Sequence, residues 1–92
     1  MALSGQKTVT TAGTAVDLGS QVVGFSILVK ALPANTGVMY VGNDGSGDVT
    51  SGNGFPLSAG DAVIFEHVSD LKEIKVDSTV NGEGVAWIIL GA

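Results

Sequence analysis

The sequence predicts an all-β domain: a small antiparallel β-sandwich, or a jelly-roll-like barrel, of about eight short strands. Of its 92 residues, 13 are Val, 5 are Ile and 7 are Thr, and these β-branched side chains suit a pleated surface. No window carries apolar residues at helical spacing without an interrupting glycine. Short apolar runs instead alternate with turns of Gly, Asn, Asp and Ser, at intervals of about 8 to 12 residues that are typical of an all-β domain.

The N-terminal part of the chain predicts one hairpin and one long strand. Residues 7–11 and 14–18 indicate the two strands of a hairpin with a turn at Gly13. Residues 24–31 alternate Phe, Ile and Val with Ser, Leu and Lys, which is the period of a strand. Pro33 ends this strand, because proline cannot donate a hydrogen bond to a ladder.

A second hairpin is predicted in the middle of the chain. Residues 38–42 form its first strand, and residues 48–50 return as its partner. The intervening residues 43–47 are of types that tolerate positive φ and therefore form the turn. Residues 55–57 follow as a short strand, which Pro56 places at the edge of a sheet.

The C-terminal part predicts three further strands. Residues 62–68 carry apolar side chains on both faces, whereas residues 71–77 alternate Ile and Val with Lys and Asp, which indicates one face in water. Residues 85–90 contain no charged or amide side chain, so this strand must be buried on both sides. We therefore expect residues 1–14 to form an N-terminal arm or first strand, and residues 15–92 to form a single β-sandwich domain.

Composition and charge exclude several classes of partner. Four Lys plus Arg against nine Asp plus Glu give a net charge of -5, whereas binding to nucleic acid or to anionic lipid requires clustered basic residues. The chain has no cysteine, which removes disulfides and thiolate chemistry. It has neither an apolar run of about 18 residues nor the pattern of a signal peptide at its start. We therefore expect no nucleic-acid partner, no membrane partner and synthesis in a cytoplasm.

The sequence offers little catalytic chemistry. His67 is the only histidine, so one chain cannot supply a histidine-based metal cluster or a pair of histidines for a proton relay. A Ser-His-Asp set can be assembled from Ser69, His67 and Asp70, but no G-x-S-x-G nucleophile elbow is present. We expect a protein that is not an enzyme and that has no catalytic residue, no cofactor and no metal.

The turn of the second hairpin is the one candidate cation site. Taking Asp44 as the first ligand of a calcium loop puts Ser46 and Asp48 at the third and fifth positions. The sixth position is Val49 instead of glycine, and the twelfth is Phe55 instead of glutamate. A hairpin turn is the better interpretation, and a weak loop-borne cation site is the alternative.

The apolar surplus of the chain predicts a homo-oligomer. Hydrophobic residues make up 45% of the chain and charged residues 14%, and four predicted strands carry apolar residues on both faces. A single small sandwich shelters one face of each strand, so the surplus indicates a surface for partner subunits. Trp87 lies in such a run, which favours a core or interface position over a sugar-stacking site. The candidate interface residues are Leu3, Val9, Tyr40, Phe55, Trp87 and Ile88.

Four segments of the chain resemble small structural proteins of tailed bacteriophages, of the capsid decoration or cement type. They are residues 5–9 (GQKTV), 38–42 (VMYVG), 55–61 (FPLSAGD) and 76–85 (VDSTVNGEGV). The resemblance implies a non-enzymatic virion module, made in the host cytoplasm, that trimerises on the capsid surface. It would bind where major capsid proteins meet and oppose the pressure of the packaged DNA.

The resemblance also concerns the N-terminal stretch and leaves an alternative function open. The polar residues 4–14 would be able to lie across a neighbouring subunit as an added strand. Similar modules are attached to phage tails and fibres, so the alternative is a tail, fibre or head-surface module that binds host carbohydrate. An exposed Trp87 or Tyr40 would favour that alternative, because aromatic rings stack on sugars.

Overall fold

The computed structural model describes residues 3–42 and 48–90, and it confirms the predicted all-β class. Two four-stranded antiparallel sheets form a sandwich, the first in the order β1-β8-β3-β6 and the second in the order β2-β7-β4-β5. The strands are β1 Ser4–Val9, β2 Val16–Asp17, β3 Val22–Ala31, β4 Met39–Gly42, β5 Phe55–Leu57, β6 Ala62–Asp70, β7 Lys75–Ser78 and β8 Glu83–Ile89, and a 3-10 turn spans Leu71–Glu73.

The hydrophobic core lies between the two sheets. On β3 of the first sheet the side chains of Ile27, Val29 and Ala31 are fully buried, because alternate residues of a strand point to the same face. Met39 and Val41 of the second sheet belong to the same buried cluster. The alternation predicted for residues 24–31 is therefore the alternation that builds the core.

The predicted first hairpin is wrong, because its two strands lie in different sheets. β1 pairs with β8 of the first sheet, and β2 pairs with β7 of the second. Side chains of β7 and of the turn that follows it hold the connection between β1 and β2. The Ala12 N–H donates to Asn81 Oδ1 at 2.7 Å, and the Gly13 N–H donates to Asp77 Oδ1 at 3.0 Å. These long-range bonds replace the local pairing that the sequence suggested.

The predicted partner of β4 is also wrong. β4 pairs with β5 and with β7, and residues 48–50 are not a strand. The Thr50 N–H donates to Asn53 Oδ1 at 2.7 Å and the Thr50 carbonyl accepts the Gly54 N–H at 2.8 Å, so this backbone closes a local turn instead of joining a ladder. The side chain of Val49 is 1% exposed, and Gly54 lies against both Val49 and Tyr40. The turn at 43–47, with its candidate cation ligands, lies outside the described residues. β5 is an edge strand, as Pro56 predicted.

The predicted strand at 71–77 begins with a 3-10 turn instead. The Asp70 carboxylate accepts from the Lys72 N–H at 3.1 Å, and the Glu73 carboxylate accepts from the Ser69 N–H at 2.7 Å and from the Asp70 N–H at 3.1 Å. This capping box satisfies backbone donors that a strand would have paired with a neighbour. The strand itself is confined to β7.

The contact of β1 with β8 is tight at Gly84, which predicts a specific cost of a side chain there. A Cβ at Gly84 would collide with the Lys7 carbonyl oxygen of β1. We expect Gly84→Ala to lower the free energy of unfolding by about 1–3 kcal/mol, because the backbone of the strand pair must move apart. Urea denaturation measures this difference.

A matched glycine serves as the control for that substitution. A Cβ at Gly52 would meet its nearest atom, Thr50 Oγ1, at an ordinary 3.6 Å. Gly52→Ala should change the free energy of unfolding by no more than about 0.5 kcal/mol. Equal effects of the two substitutions would contradict the close approach of β1 to β8.

Candidate functional site

The outer face of the first sheet carries a row of apolar side chains across three strands. Because Ile27 and Val29 of β3 point into the core, Leu28 between them points outward. The strand register sets Leu28 opposite Ile64 of β6 and opposite Ile88 of β8. These three residues form one straight row perpendicular to the strands.

The next row along the strands widens this apolar surface. The register sets Lys30 of β3 opposite Ala62 of β6 and Ala86 of β8, and Ala86 in turn lies opposite Gln6 of β1. We call the set Leu28, Ala62, Ile64, Ala86 and Ile88 the outer-face patch. Its side chains are available to a partner, since Ile64 is 55% exposed and Leu28 and Ile88 are half-buried.

A β-bulge borders the patch at the end away from Lys30. Ser26 of β3 faces two residues of β6, Glu66 and His67, because the register shifts between the flanking pairs. Phe65 and Val68, on either side, pack against or within the core, so Glu66 and His67 both point outward. The patch therefore has a lysine, Lys30, at one end and a carboxylate at the other.

An open depression of about 460 Å³ lies on this face towards β1. Its lining residues are Ser4, Gly5, Gln6, Leu28, Lys30, Ala86, Trp87 and Ile88. The lining combines aliphatic side chains with the hydroxyl and amide groups of the edge strand. Such a surface accepts an apolar side chain of a partner subunit while its rim stays in water.

Trp87 does not offer an exposed ring. Its indole packs against the core beneath β1, where a Cβ at Gly5 would lie only 2.8 Å from Cζ2. The indole Nε1 is buried and has no hydrogen-bond partner among the described residues. This position agrees with the preference for a core role over sugar stacking.

The outer face of the second sheet differs, because the chain itself covers it. Val76 of β7 is in the core, so the adjacent Asp77 points outward, yet it is only 5% exposed and accepts the Gly13 N–H. Val49 is buried on the Tyr40 side of this sheet. The patch on the first sheet is thus the broad apolar sheet face left open among the described residues.

The six predicted interface residues do not form one surface. Ile88 lies in the outer-face patch, whereas Leu3, 36% exposed, precedes β1, and its carbonyl accepts the N–H of the core residue Ile89 at 2.8 Å. Tyr40 and Phe55 belong to the second sheet, where Phe55 is 57% exposed. Val9 ends β1 on the inward side and is fully buried in the core, so its side chain supplies no exposed surface to a partner.

Leu28 and Ile64 are candidate interface residues of the outer-face patch that the sequence analysis missed. The signal was present in the alternation of residues 24–31 and 62–68, because both runs carry apolar side chains on each face. The exposed face of these strands is known only once β3 is seen to pair with β6 and β8. The sequence did not reveal that pairing.

The hypothetical Ser-His-Asp set is not assembled. Asp70 Oδ1 accepts the backbone N–H groups of Gln21 at 3.2 Å and Lys72 at 3.1 Å, so the carboxylate caps the 3-10 turn. His67 and Ser69 lie on the outer side of β6, since Val68 between them points inward. Within residues 3–42 and 48–90, no group of three or more His, Cys, Asp or Glu side chains is placed to hold a metal ion.

The carboxylate of Glu83 accepts several hydrogen bonds that fasten a loop, so its role is structural. It accepts the Thr36 N–H at 2.6 Å, the Thr36 hydroxyl at 2.8 Å and the Gly37 N–H at 2.8 Å. The backbone donors of Thr36 and Gly37 lower the pKa of Glu83, because they stabilise its charged form. Asn35 pairs with the backbone of Gly84 at 2.8 and 3.3 Å, so this loop is fastened to the start of β8.

No protein-family model, curated protein or solved structure matches this chain. In the part of the chain that the structure describes, no helix has the length and apolar character needed to cross a membrane.

The hydrogen bonds of Glu83 predict a specific dependence of stability on pH. The folded-state pKa of Glu83 lies below its ordinary value of 4.5, so the charged group stabilises the fold fully above that value. This stabilisation is lost as the pH falls through the folded-state pKa. We therefore expect Glu83→Gln to lower the melting temperature at pH 7, and the difference from the wild type to shrink progressively below pH 4.5.

Glu66→Gln is the control for this pH dependence. The Glu66 side chain accepts no backbone N–H among the described residues, so its substitution should leave the melting temperature at pH 7 nearly unchanged. Thermal denaturation followed by circular dichroism from pH 7 to pH 3 gives both comparisons. A wild type and a Glu83→Gln variant that differ equally at every pH would contradict the account of Glu83.

Proposed function

We propose that this chain is a non-enzymatic structural protein of a tailed-phage virion, a capsid decoration or cement protein. Many copies bind the outside of the head, bridge neighbouring major capsid proteins and stabilise the shell. The single observation that carries the proposal is the outer-face patch, an apolar sheet face open to a partner. The segments that resemble phage structural proteins favour the major capsid protein as this partner.

The chemistry of the patch suits a protein partner. Aliphatic area removed from water contributes about 25 cal/mol per Å², and Leu28, Ile64 and Ile88 supply it in one row. Charged groups lie on either side of this row, Lys30 between Ala62 and Ala86 and Glu66 at the bulge, so the row itself brings no charged group to desolvate on binding. A patch of this kind binds protein rather than nucleic acid, in keeping with the net charge of -5.

The support of the patch suits a cementing role. β3 and β8, which carry the centre of the row, are the two inner strands of the first sheet, and their opposite faces pack in the core. A patch held by core strands is ordered before it binds, which lowers the entropic cost of association. Many weak contacts of identical copies then act together on one shell.

The proposal includes a homo-oligomer that assembles on the capsid and not in the free protein, and the resemblance makes it a trimer. β1 and β6 are the edge strands of the described first sheet, and their outer backbone groups are available to neighbouring chains. Strand addition at these edges is a head-to-tail contact of the kind that closes a ring of three. In this arrangement β1 is the strand added to a neighbouring chain, which is the role that the resemblance implies for the polar N-terminal stretch.

The alternative is a tail, fibre or head-surface module that binds host carbohydrate. Phe55, 57% exposed on β5, is the observation that favours it, whereas the half-buried Tyr40 of β4 pairs with Pro56 and so points to the other face of the sheet. The alternative is weaker, because Trp87 packs against the core and the described part of the second sheet holds no other exposed phenylalanine or tryptophan beside Phe55.

Binding of the purified chain to expanded, DNA-free capsids of its own phage tests the proposal. We expect saturation at a fixed number of copies per lattice site and a higher disruption temperature of the capsid. Ile64→Asn should weaken binding at least about tenfold, since a buried isoleucine contributes about 1.5–3 kcal/mol. Sedimentation of capsids with labelled chain gives both stoichiometry and affinity.

Val22→Asn is the matched control for this substitution. Val22 is also an exposed aliphatic residue of the first sheet, 75% exposed, but it lies outside the outer-face patch. Its substitution should leave capsid binding unchanged. Binding to cell-surface glycans without any binding to capsids would overturn the proposal in favour of the alternative.

A further inference from the structure

The outer-face patch is self-complementary, and we propose that in the free protein a second copy of the chain covers it. The two copies pack face to face, related by a two-fold axis that runs along the row Ile64–Leu28–Ile88. The inference concerns the free chain and does not depend on a role in a virion.

The geometry of the row permits this arrangement. Its residues are direct cross-strand partners on β6, β3 and β8, about 4.8 Å apart from strand to strand. The row is therefore straight and lies across the strands. A two-fold axis along it sets Leu28 against Leu28 of the second copy, and likewise each isoleucine against itself, which buries the most apolar part of the face.

The charges at the two borders select this axis. Lys30 lies two residues to one side of the row and Glu66 two residues to the other, about 7 Å away in each direction. Rotation about the row exchanges the two ends, so each Lys30 faces the Glu66 border of the other copy. A two-fold axis along β3 would instead set the two Lys30 side chains against each other, which costs free energy.

The remaining groups on the face are compatible with this pairing. Ser26 and His67 share the border of Glu66, and Ser4 and Gln6 lie along β1 at the side of the face. Each copy then places one lysine opposite one carboxylate, with hydroxyl, amide and imidazole groups around them. Two ion pairs flank one apolar row.

The size of the face sets the strength expected of the pair. Four strands at about 4.8 Å and five residues at about 3.4 Å cover roughly 19 by 17 Å, or about 320 Å² per copy. A stable interface buries about 800 Å² per partner. The pair is therefore weak, and it has to be measured from about 20 µM to about 1 mM.

Sedimentation velocity on charge-reversed variants at low ionic strength tests the inference. The wild type should move from monomer to dimer across this concentration range. Lys30→Glu and Glu66→Lys should each weaken the dimer at least about tenfold, because each places like charges at both borders. An equimolar mixture of the two variants should restore the wild-type dimer, because each acidic border then faces a basic one.

Two further variants make the test specific. Lys72→Glu changes the net charge as Lys30→Glu does but lies on the 3-10 turn, outside the patch, so its dimer should match the wild type. Ile64→Asn should be monomeric throughout, with a wild-type circular dichroism spectrum. A wild type that stays monomeric at about 1 mM would overturn the inference. So would single charge reversals without effect, or a mixture that does not recover the dimer.

Discussion

The cross-strand register of β3 determines both the core face and the exposed face of the first sheet. β3 lies between β6 and β8 and pairs with both. Because its side chains alternate strictly, the same register that buries Ile27 and Val29 also presents Leu28 and Lys30 outward. A slip of one residue would move the core residues into water and the patch into the core, so the two are specified together.

The two sheets use their outer faces differently. The chain itself covers the outer face of the second sheet. The connection between β1 and β2 is hydrogen-bonded to Asp77, and Val49 is buried on the Tyr40 side. The first sheet keeps an apolar row in the open, with the borders charged. An exposed apolar face carries an aggregation risk for a small domain, and the bulge that brings Glu66 and His67 outward limits it. The face therefore has the composition of an interface.

The sequence predicted the class of fold but not its pairing. Alternation in residues 24–31 is a local signal, and it correctly indicated β3. The pairing of β1 with β8 joins residues about 80 positions apart, a non-local contact that no local pattern specifies. The 3-10 turn after β6 was within reach, since Asp70 and Glu73 have capping-box spacing. The apolar surplus of the sequence predicted that an exposed apolar surface exists. Its location could not be predicted, because it depends on which face of β3 packs in the core.

We propose that the outer face of the first sheet is the surface that meets other subunits. Hydroxyl-radical footprinting of the chain bound to capsids tests this most directly, because it reports solvent access residue by residue. The account predicts strong protection of Leu28, Ile64 and Ile88 relative to the unbound chain, with Val22 equally reactive in both states. Protection of Phe55 together with undiminished oxidation of Ile64 would contradict it.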